Sequence, residues 1–192
     1  MNEPDALIFD LDGTLADTMP VHFIVWQEVL SPHGLAFPED RFYRCGGMPT
    51  WRIVEMLAAE QGKSVDVEQV VKAKYDGFFA HVDDVQPIDA VMAVALEHHG
   101  SMPLAVATGG KRAAADRTLA AIQATHLFDA VVTADDVAQH KPHPETFLRA
   151  AELLGVDPTR CRAYEDADPG IEAARAAGMA VVDVREMLAD AR

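Results

Sequence analysis

Two aspartates, Asp10 and Asp12, stand two residues apart directly after the apolar run Ala6-Leu7-Ile8-Phe9. The run predicts a buried strand, and Gly13 lets the backbone turn away from the strand end. Because strand side chains repeat every second residue, both carboxylates would point to the same side, where a cation would relieve their repulsion. One carboxylate can then attack phosphorus while the other transfers protons. The alternative is an acidic turn without chemistry.

Residues of similar chemical kinds follow the other predicted strands. Thr108, Asp135 and the pair Glu165-Asp166 each stand at or just beyond the end of an apolar run. In a parallel sheet these strand ends lie along one edge, where open α/β folds bind ligands. We therefore expect residues from positions 10 to 166 to converge in space.

The segment Thr108-Gly109-Gly110 and the side chain of Lys141 would complete such a site. A hydroxyl group followed by unshielded backbone N–H groups makes a small anion cradle where a helix begins. Pro142 and Pro144 restrict the loop around Lys141, so its ammonium group can stabilise charge on a phosphoryl group. The alternatives are an ordinary turn and a solvated surface lysine.

The elements that position these residues form two patterns. Residues 17–85 show helical patterns only, whereas helices alternate with strands from residue 87 onward. This alternation indicates right-handed crossovers and a doubly wound parallel sheet with helices on both faces. We predict an α/β core domain of residues 1–16 and 86–192 with an inserted all-helical cap of residues 17–85. The predicted strands are 6–9, 103–108, 130–133, 161–164 and 180–183.

Longer motifs around these residues resemble those of the haloacid dehalogenase superfamily of phosphotransferases. They are Phe-Asp-Leu-Asp-Gly-Thr-Leu from Phe9, Lys-Pro-His-Pro-Glu-Thr-Phe from Lys141 and Glu-Asp-Ala-Asp from Glu165. The chain is similar to the β-phosphoglucomutase-like group from about Ala6 to Arg185, and within it to bacterial fructose-1-phosphate/6-phosphogluconate phosphatases. The resemblance implies a Rossmann-like core and a phosphatase that acts on a small phosphorylated metabolite. Gly110 and Ala167 depart from the residues common in the family.

The resemblance also implies a role for each matched residue. Asp10 would be the nucleophile that carries the phosphoryl group, and Asp12 the general acid/base that true dehalogenases lack. The cofactor would be Mg²⁺, held by Asp10, the Asp12 backbone carbonyl and Asp166, with Glu165 close behind. The phosphoryl group would be bound by Thr108, Gly109 and Lys141.

The inserted helices would form a mobile cap that chooses the substrate. His22 lies on its first helix at a position similar to that in β-phosphoglucomutase-like proteins, although such a residue is more often part of a helix core or interface. Gly47 and Thr50 belong to the segment that we expect to face the substrate. Mutases carry an arginine where Thr50 aligns, which favours a phosphatase.

Composition excludes several classes of partner. A net charge of −15 argues against nucleic acid and anionic membranes. The sequence has no apolar run of about eighteen residues, and its acidic first residues do not match a signal peptide. Cys45 and Cys161 lack the spacing of a metal site, which favours reduced thiols. We expect a cytoplasmic protein, monomeric, whose partner is a small phosphate ester.

Two alternatives to the phosphatase remain open at this stage. The first is a β-phosphoglucomutase. The second belongs to another class, a phosphoryl-accepting switch or binding protein, because receiver domains also combine clustered aspartates with a Ser/Thr and a lysine. The long helical insertion and the Asp-x-Asp-Gly-Thr run count against a receiver. Turnover of p-nitrophenyl phosphate would separate an enzyme from a switch.

We predict that Thr50→Arg raises the affinity for bisphosphorylated sugars, because an arginine forms bidentate, charge-assisted bonds to phosphate that a threonine hydroxyl cannot match. The wild type should release phosphate from hexose phosphates without converting β-glucose 1-phosphate to glucose 6-phosphate at a comparable rate. Inhibition by sugar bisphosphates measures the first effect. Efficient mutase turnover by the wild type, primed with β-glucose 1,6-bisphosphate, would contradict this prediction.

Overall fold

A computed structural model describes residues 3–45 and 48–190, and it divides the chain into two compact units. The first unit comprises the chain up to Asp17 and from Val85 onward, and the second comprises Thr18–Asp84. Helices lie on both sides of a parallel sheet in the first unit, so the predicted α/β fold class is confirmed. In chain order the strands are β1 (Ala6–Phe9), β2 (Ala16–Asp17), β3 (Gln86–Pro87), β4 (Leu104–Ala107), β5 (Ala130–Val132), β6 (Cys161–Glu165) and β7 (Ala180–Asp183).

The main sheet has the strand order β5-β4-β1-β6-β7, and all of its pairings are parallel. β1 is central, with Ile8 paired to Ala105 on one side and to Ala163 on the other. All four residues of β1 are buried, which is why this strand reads as a continuous apolar run without alternation. The order reverses at β1, so the crevice at its carboxyl end is where ligands bind in such sheets.

The helices of the first unit cover this sheet. Phe147, Ala150 and Ala151 of one helix are fully buried in the same cluster as Ile8 and Val132 of the sheet. The small alanine side chains let the helix approach the strands closely. These helices are α5 (Asp89–His98), α6 (Arg112–Ala121), α7 (Glu145–Leu154), α8 (Asp168–Ala176) and α9 (Val184–Asp190).

The second unit has a hydrophobic core of its own. Trp26 packs edge-on against Phe37, with ring centroids 5.6 Å apart, and Leu57 and Val70 are fully buried in the same cluster. Its described residues form helices and 3₁₀ turns only. The helices are α1 (Met19–Leu30), α2 (Glu39–Arg44), α3 (Thr50–Glu60) and α4 (Val67–His81).

Apart from the 3₁₀ turns, three features of the described residues have no counterpart among the predicted elements. α2 has six residues and α9 has seven, too short for a periodic pattern to stand out. The third is the antiparallel pair β2–β3, in which Ala16 pairs with Pro87 where the chain leaves and re-enters the first unit. Within the described ranges, no helix has both the length and the apolar character that crossing a membrane requires.

We predict that Ile8→Ala lowers the free energy of unfolding by about 2–5 kcal/mol, because it removes buried methyl groups from the central strand and leaves a cavity. Leu96→Ala is the control, since Leu96 is 57% exposed and its truncation should change stability by about 0.5 kcal/mol or less. Urea unfolding followed by circular dichroism measures both. Equal losses for the two variants would contradict the placement of β1 at the centre of the core.

Candidate active site

Asp10 and Asp12 lie at the carboxyl end of β1, on either side of the buried Leu11. The Asp10 backbone N–H donates to the carbonyl oxygen of Tyr164 at 2.9 Å, so strand pairing continues one residue past β1. The Leu11 carbonyl oxygen then accepts from the N–H of Ala16 at 2.9 Å, which closes a tight turn. Asp10 is only 6% exposed and Asp12 is half-buried.

Gly13 is required in this turn for two reasons. Its φ of +85° is a left-handed conformation that other residues adopt at a cost. A Cβ atom at this position would also collide with the carboxylate of Asp166. Thr14, which is fully buried, donates its hydroxyl proton to Asp166 Oδ1 at 2.9 Å. The turn after β1 therefore orients a residue from the loop after β6.

Three carboxylates meet at this edge of the sheet. Asp10, Glu165 and Asp166 each offer an oxygen atom within 4.8 Å of the others. Burial and the Asp10 charge raise the pKa of Asp166 to about 6, against the lowering effect of the Thr14 hydrogen bond. Burial and Asp10 likewise raise the pKa of Glu165. Glu165 and Asp166 therefore ionise less readily than free carboxylates, because they lie close to Asp10 in a poorly solvated place.

Lys141 lies in the middle of this negative charge. Its Nζ donates to Asp10 Oδ1 at 2.7 Å and to Glu165 Oε2 at 2.6 Å. Burial alone would lower the pKa of Lys141, but these two carboxylates raise it, so the ammonium group stays charged. Glu165 Oε1 also accepts from the backbone N–H groups of Asp166 and Ala167 at 3.2 and 3.1 Å, which fixes its orientation.

The loop that carries Lys141 is closed by a single carboxylate. Glu145, the first residue of α7, accepts hydrogen bonds from the N–H groups of Ala138 and Gln139, both at 2.9 Å. Phe147 follows Glu145 by two residues on α7, and its ring centroid lies 4.8 Å from the Nζ atom of Lys141. The predicted restriction of this loop therefore has a second cause besides its prolines.

Thr108 follows β4 and is almost fully buried. Its hydroxyl oxygen accepts from the N–H of Gly110 at 2.9 Å and lies 3.5 Å from Asp12 Oδ2. Gly109 has open space where a Cβ atom would be, so its backbone can approach a ligand closely. We call residues 108–111 the phosphate loop, after the role that the sequence analysis expects of them. It lies beside the aspartates, as the strand order requires.

The donor set at this edge fits a divalent cation. The carboxylates of Asp10, Glu165 and Asp166 outnumber the single ammonium group of Lys141, and a cation bound here would favour the ionised forms of Glu165 and Asp166. The ligand atoms are all carboxylate oxygens, the type that Mg²⁺ prefers. The residues present are therefore of the chemical type that can hold a divalent cation.

The candidate residues of the second unit are placed separately. His22, on α1, has its Nδ1 3.3 Å from the Nζ of Lys74, a buried residue on α4. Burial, and secondarily the charge of Lys74, lower the pKa of His22 to about 3, so its imidazole is neutral. Thr50 is the first residue of α3 and is half-buried. Gly47 lies outside the described residues.

Sequence reasoning missed three of these side chains. Thr14 and Glu145 lay within the motifs but received no role, because their partners belong to other segments. Lys74 could have been recognised from the sequence by its position. It lies between Val70 and Phe78 on one face of α4, and all three residues are buried. A lysine at a core position of an amphipathic helix indicates a specific partner.

Comparisons with known proteins agree with this geometry. The profile of the haloacid dehalogenase-like hydrolase family matches residues 7–184. The fructose-1-phosphate phosphatase of Escherichia coli is 44% identical over 93% of this chain and 95% of its own length. The β-phosphoglucomutase of Bacillus subtilis is 28% identical over 93% and 82%, respectively. Among solved structures, the β-phosphoglucomutase of Clostridium difficile has a TM-score of 0.81 at 23% identity, covering 94% of this chain and 84% of its own.

We predict that Lys141→Met destabilises the first unit by about 3–5 kcal/mol in the absence of divalent cations, because it leaves buried carboxylates without their counter-charge. Added Mg²⁺ should restore part of this loss. Lys72→Met is the control, since Lys72 pairs with Asp76 on the surface and its loss should cost about 1 kcal/mol or less. Urea unfolding with and without Mg²⁺ measures the difference. If Lys141→Met were as stable as Lys72→Met in EDTA, the buried ion pairs would not have the expected role.

Proposed function

Because the chain belongs to the haloacid dehalogenase-like hydrolases, we propose that it is a Mg²⁺-dependent phosphatase acting through a phospho-aspartate on Asp10. The observation that carries the proposal is the meeting of Asp10, Glu165 and Asp166 around Lys141 at the carboxyl end of the sheet. This arrangement supports the proposal, because a carboxylate able to attack phosphorus, oxygen atoms able to hold a cation and a fixed positive charge lie within a few ångströms of one another.

The reaction would take place in two displacements. A carboxylate oxygen of Asp10 attacks the phosphorus atom, the bond to the ester oxygen breaks, and Asp12 gives that oxygen a proton. Water then attacks the phosphorus of phospho-Asp10, Asp12 accepts a proton from it, and phosphate leaves while the carboxylate is regenerated. Asp12 is suited to both roles because it is half-buried beside Asp10 and its Oδ2 lies 3.5 Å from the Thr108 hydroxyl.

Lys141 and the phosphate loop would bind the phosphoryl group. The ammonium group holds Asp10 in place before substrate arrives and can share its charge with a phosphoryl oxygen as negative charge develops there. Thr108 contributes its hydroxyl, and Gly109 an unshielded backbone. Asp10, the Asp12 backbone carbonyl and Asp166 would hold Mg²⁺, with Glu165 close behind, and the bound ion would supply neutralising charge. Thr14 keeps Asp166 oriented for that task.

The proposed substrate is a small sugar phosphate, with fructose 1-phosphate as the first choice. The support is the 44% identity to the Escherichia coli enzyme of that name, against 28% to the β-phosphoglucomutase of Bacillus subtilis. Thr50 also lacks the charge that a mutase needs to retain a bisphosphate. A phosphoryl-accepting switch is disfavoured, since the hydrolase family profile extends over residues 7–184.

The second unit would act as the cap that selects the substrate. Its helical content and its own core are consistent with such a role, with residues 17–85 as the proposed cap and residues 1–16 and 86–192 as the catalytic domain. His22, Gly47 and Thr50 are the residues proposed to meet the substrate. We also propose that the protein acts in the cytoplasm as a monomer, without nucleic acid or membrane partners.

We predict that the wild type releases phosphate from fructose 1-phosphate with Mg²⁺ and not in EDTA, and that Asp10→Asn abolishes both turnover and labelling of the protein by substrate phosphate. Asp12→Asn should still accept phosphate while hydrolysis slows by about 10²–10⁴-fold, the usual contribution of positioned acid/base catalysis. Phosphate release and acid-quenched labelling with radioactive substrate measure the two steps.

The control for these variants is Asp17→Asn, because Asp17 is an exposed carboxylate shortly after the same turn. It should leave turnover and labelling unchanged. A phosphoenzyme formed by Asp10→Asn would show that another residue is the nucleophile, and full activity in EDTA would eliminate the metal-assisted reaction.

A further inference from the structure

Asp135 lies at the same edge of the sheet as the site but has no role in the mechanism. It follows β5 in a 3₁₀ turn, Ala134–Asp136. Its Oδ2 accepts a hydrogen bond at 2.9 Å from the backbone N–H of Arg112, the first residue of α6. The sequence pattern placed Asp135 near the other carboxylates, whereas the structure gives it a backbone partner in the segment after the phosphate loop.

The neighbouring Asp136 makes a second connection between the same segments. Arg112 Nη2 donates to the carbonyl oxygen of Val131 at 2.8 Å and to Asp136 Oδ2 at 2.6 Å. That carboxylate oxygen also accepts from the N–H and the hydroxyl of the fully buried Thr133, at 2.8 and 2.7 Å. Burial alone would raise the pKa of Asp136, but the Thr133 and Arg112 bonds hold it below its usual value, so the ion pair persists at neutral pH.

Two backbone hydrogen bonds join the phosphate loop itself to the same segment. The N–H of Thr108 donates to the carbonyl oxygen of Val132 at 2.9 Å, and the N–H of Ala134 donates to the carbonyl oxygen of Gly110 at 2.9 Å. The phosphate loop contains two consecutive glycines, which lose more conformational freedom on ordering than other residues. It is therefore a segment that needs external restraint if its N–H groups are to keep fixed directions.

The N-terminus of α6 indicates that these hydrogen bonds do more than stabilise the helix. Its N-cap residue is Lys111, whose side chain makes no capping hydrogen bond. A serine or aspartate at that position would cap the helix locally. Instead the accepting oxygen comes from a residue 23 positions away, on the loop of a neighbouring strand. A cap of this kind fixes where the helix begins relative to β5, which a local cap cannot do.

We infer that Asp135, together with the Arg112–Asp136 ion pair, positions the phosphate loop so that the Thr108 hydroxyl and the Gly109 backbone meet the phosphoryl group of the substrate. This inference rests on the proposed phosphatase function. Asp135, Asp136 and Arg112 are positioning residues, since their described contacts are to the protein itself. A displacement of about 1 Å in a substrate-binding group can cost about 10²-fold in rate, so a small shift of the loop would be measurable.

The experiment compares Asp135→Ala with Asp135→Asn in the full chain. Asp135→Ala should lower kcat/KM for p-nitrophenyl phosphate by about 10- to 100-fold and raise the inhibition constant of inorganic phosphate. Asp135→Asn should stay close to the wild type, because an amide oxygen still accepts the Arg112 N–H. Arg112→Lys provides a second test if Asp135→Ala does not fold. A lysine cannot bond to both Val131 and Asp136 in the geometry of the guanidinium, so phosphate inhibition should weaken here too.

The matched control is Asp157→Ala. Asp157 also accepts from a nearby backbone N–H, that of Thr159 at 2.8 Å, but it precedes β6 and so lies at the opposite edge of the sheet from the site. It should lose similar stability without changing inhibition by phosphate. If Asp135→Ala and Asp157→Ala lowered the melting temperature alike and neither changed that inhibition, Asp135 would be a structural cap and the inference would be wrong. A wild type that neither hydrolyses phosphate esters nor binds phosphate would overturn the proposed function, and this inference with it.

Discussion

The contact between Lys141 and the carboxylates of Asp10 and Glu165 is the interaction on which the candidate site depends. Burying such an ion pair costs free energy of desolvation, and the pair persists only where good geometry and further hydrogen bonds compensate for that loss. Here the backbone N–H groups of Asp166 and Ala167 hold Glu165, and strand pairing to Tyr164 holds Asp10. The remaining negative charge is what makes a cation site at this place physically reasonable.

The parallel sheet brings the functional segments of several strands to one edge. β1, β4 and β6 each deliver one functional segment to the same edge, although the residues are up to about 150 positions apart in sequence. Each segment is short and begins at the last backbone-paired residue of its strand, so the strands determine its position to within one or two residues. Hydrophobic burial of the strands therefore determines where the site lies. The polar residues need only be the right number of positions from the end of each strand.

This logic explains which parts were predictable. The five main strands were recognisable as apolar runs, and the positions of Asp10, Thr108 and Glu165 followed from where those runs end. The supporting contacts were not recognisable, because they depend on which loops become neighbours. The bond from Arg112 to Asp135 joins two loops 23 residues apart, and neither residue has a local pattern that reveals the other. Short elements such as α2 were missed because six residues provide little periodicity.

Acidic residues have two distinct tasks around the site, and this accounts for part of the strongly acidic composition. Asp10 and Asp166 present oxygen atoms toward the proposed cation and substrate, whereas Glu145 and Asp135 accept backbone N–H groups. A carboxylate suits the second task because a charge-assisted bond to an N–H group is stronger than a neutral one. A carboxylate therefore holds each of these two loops in place. Glu145 holds the loop that carries Lys141, and Asp135 holds the segment that follows Thr108. Part of the negative charge near the site is therefore used to hold backbone in place.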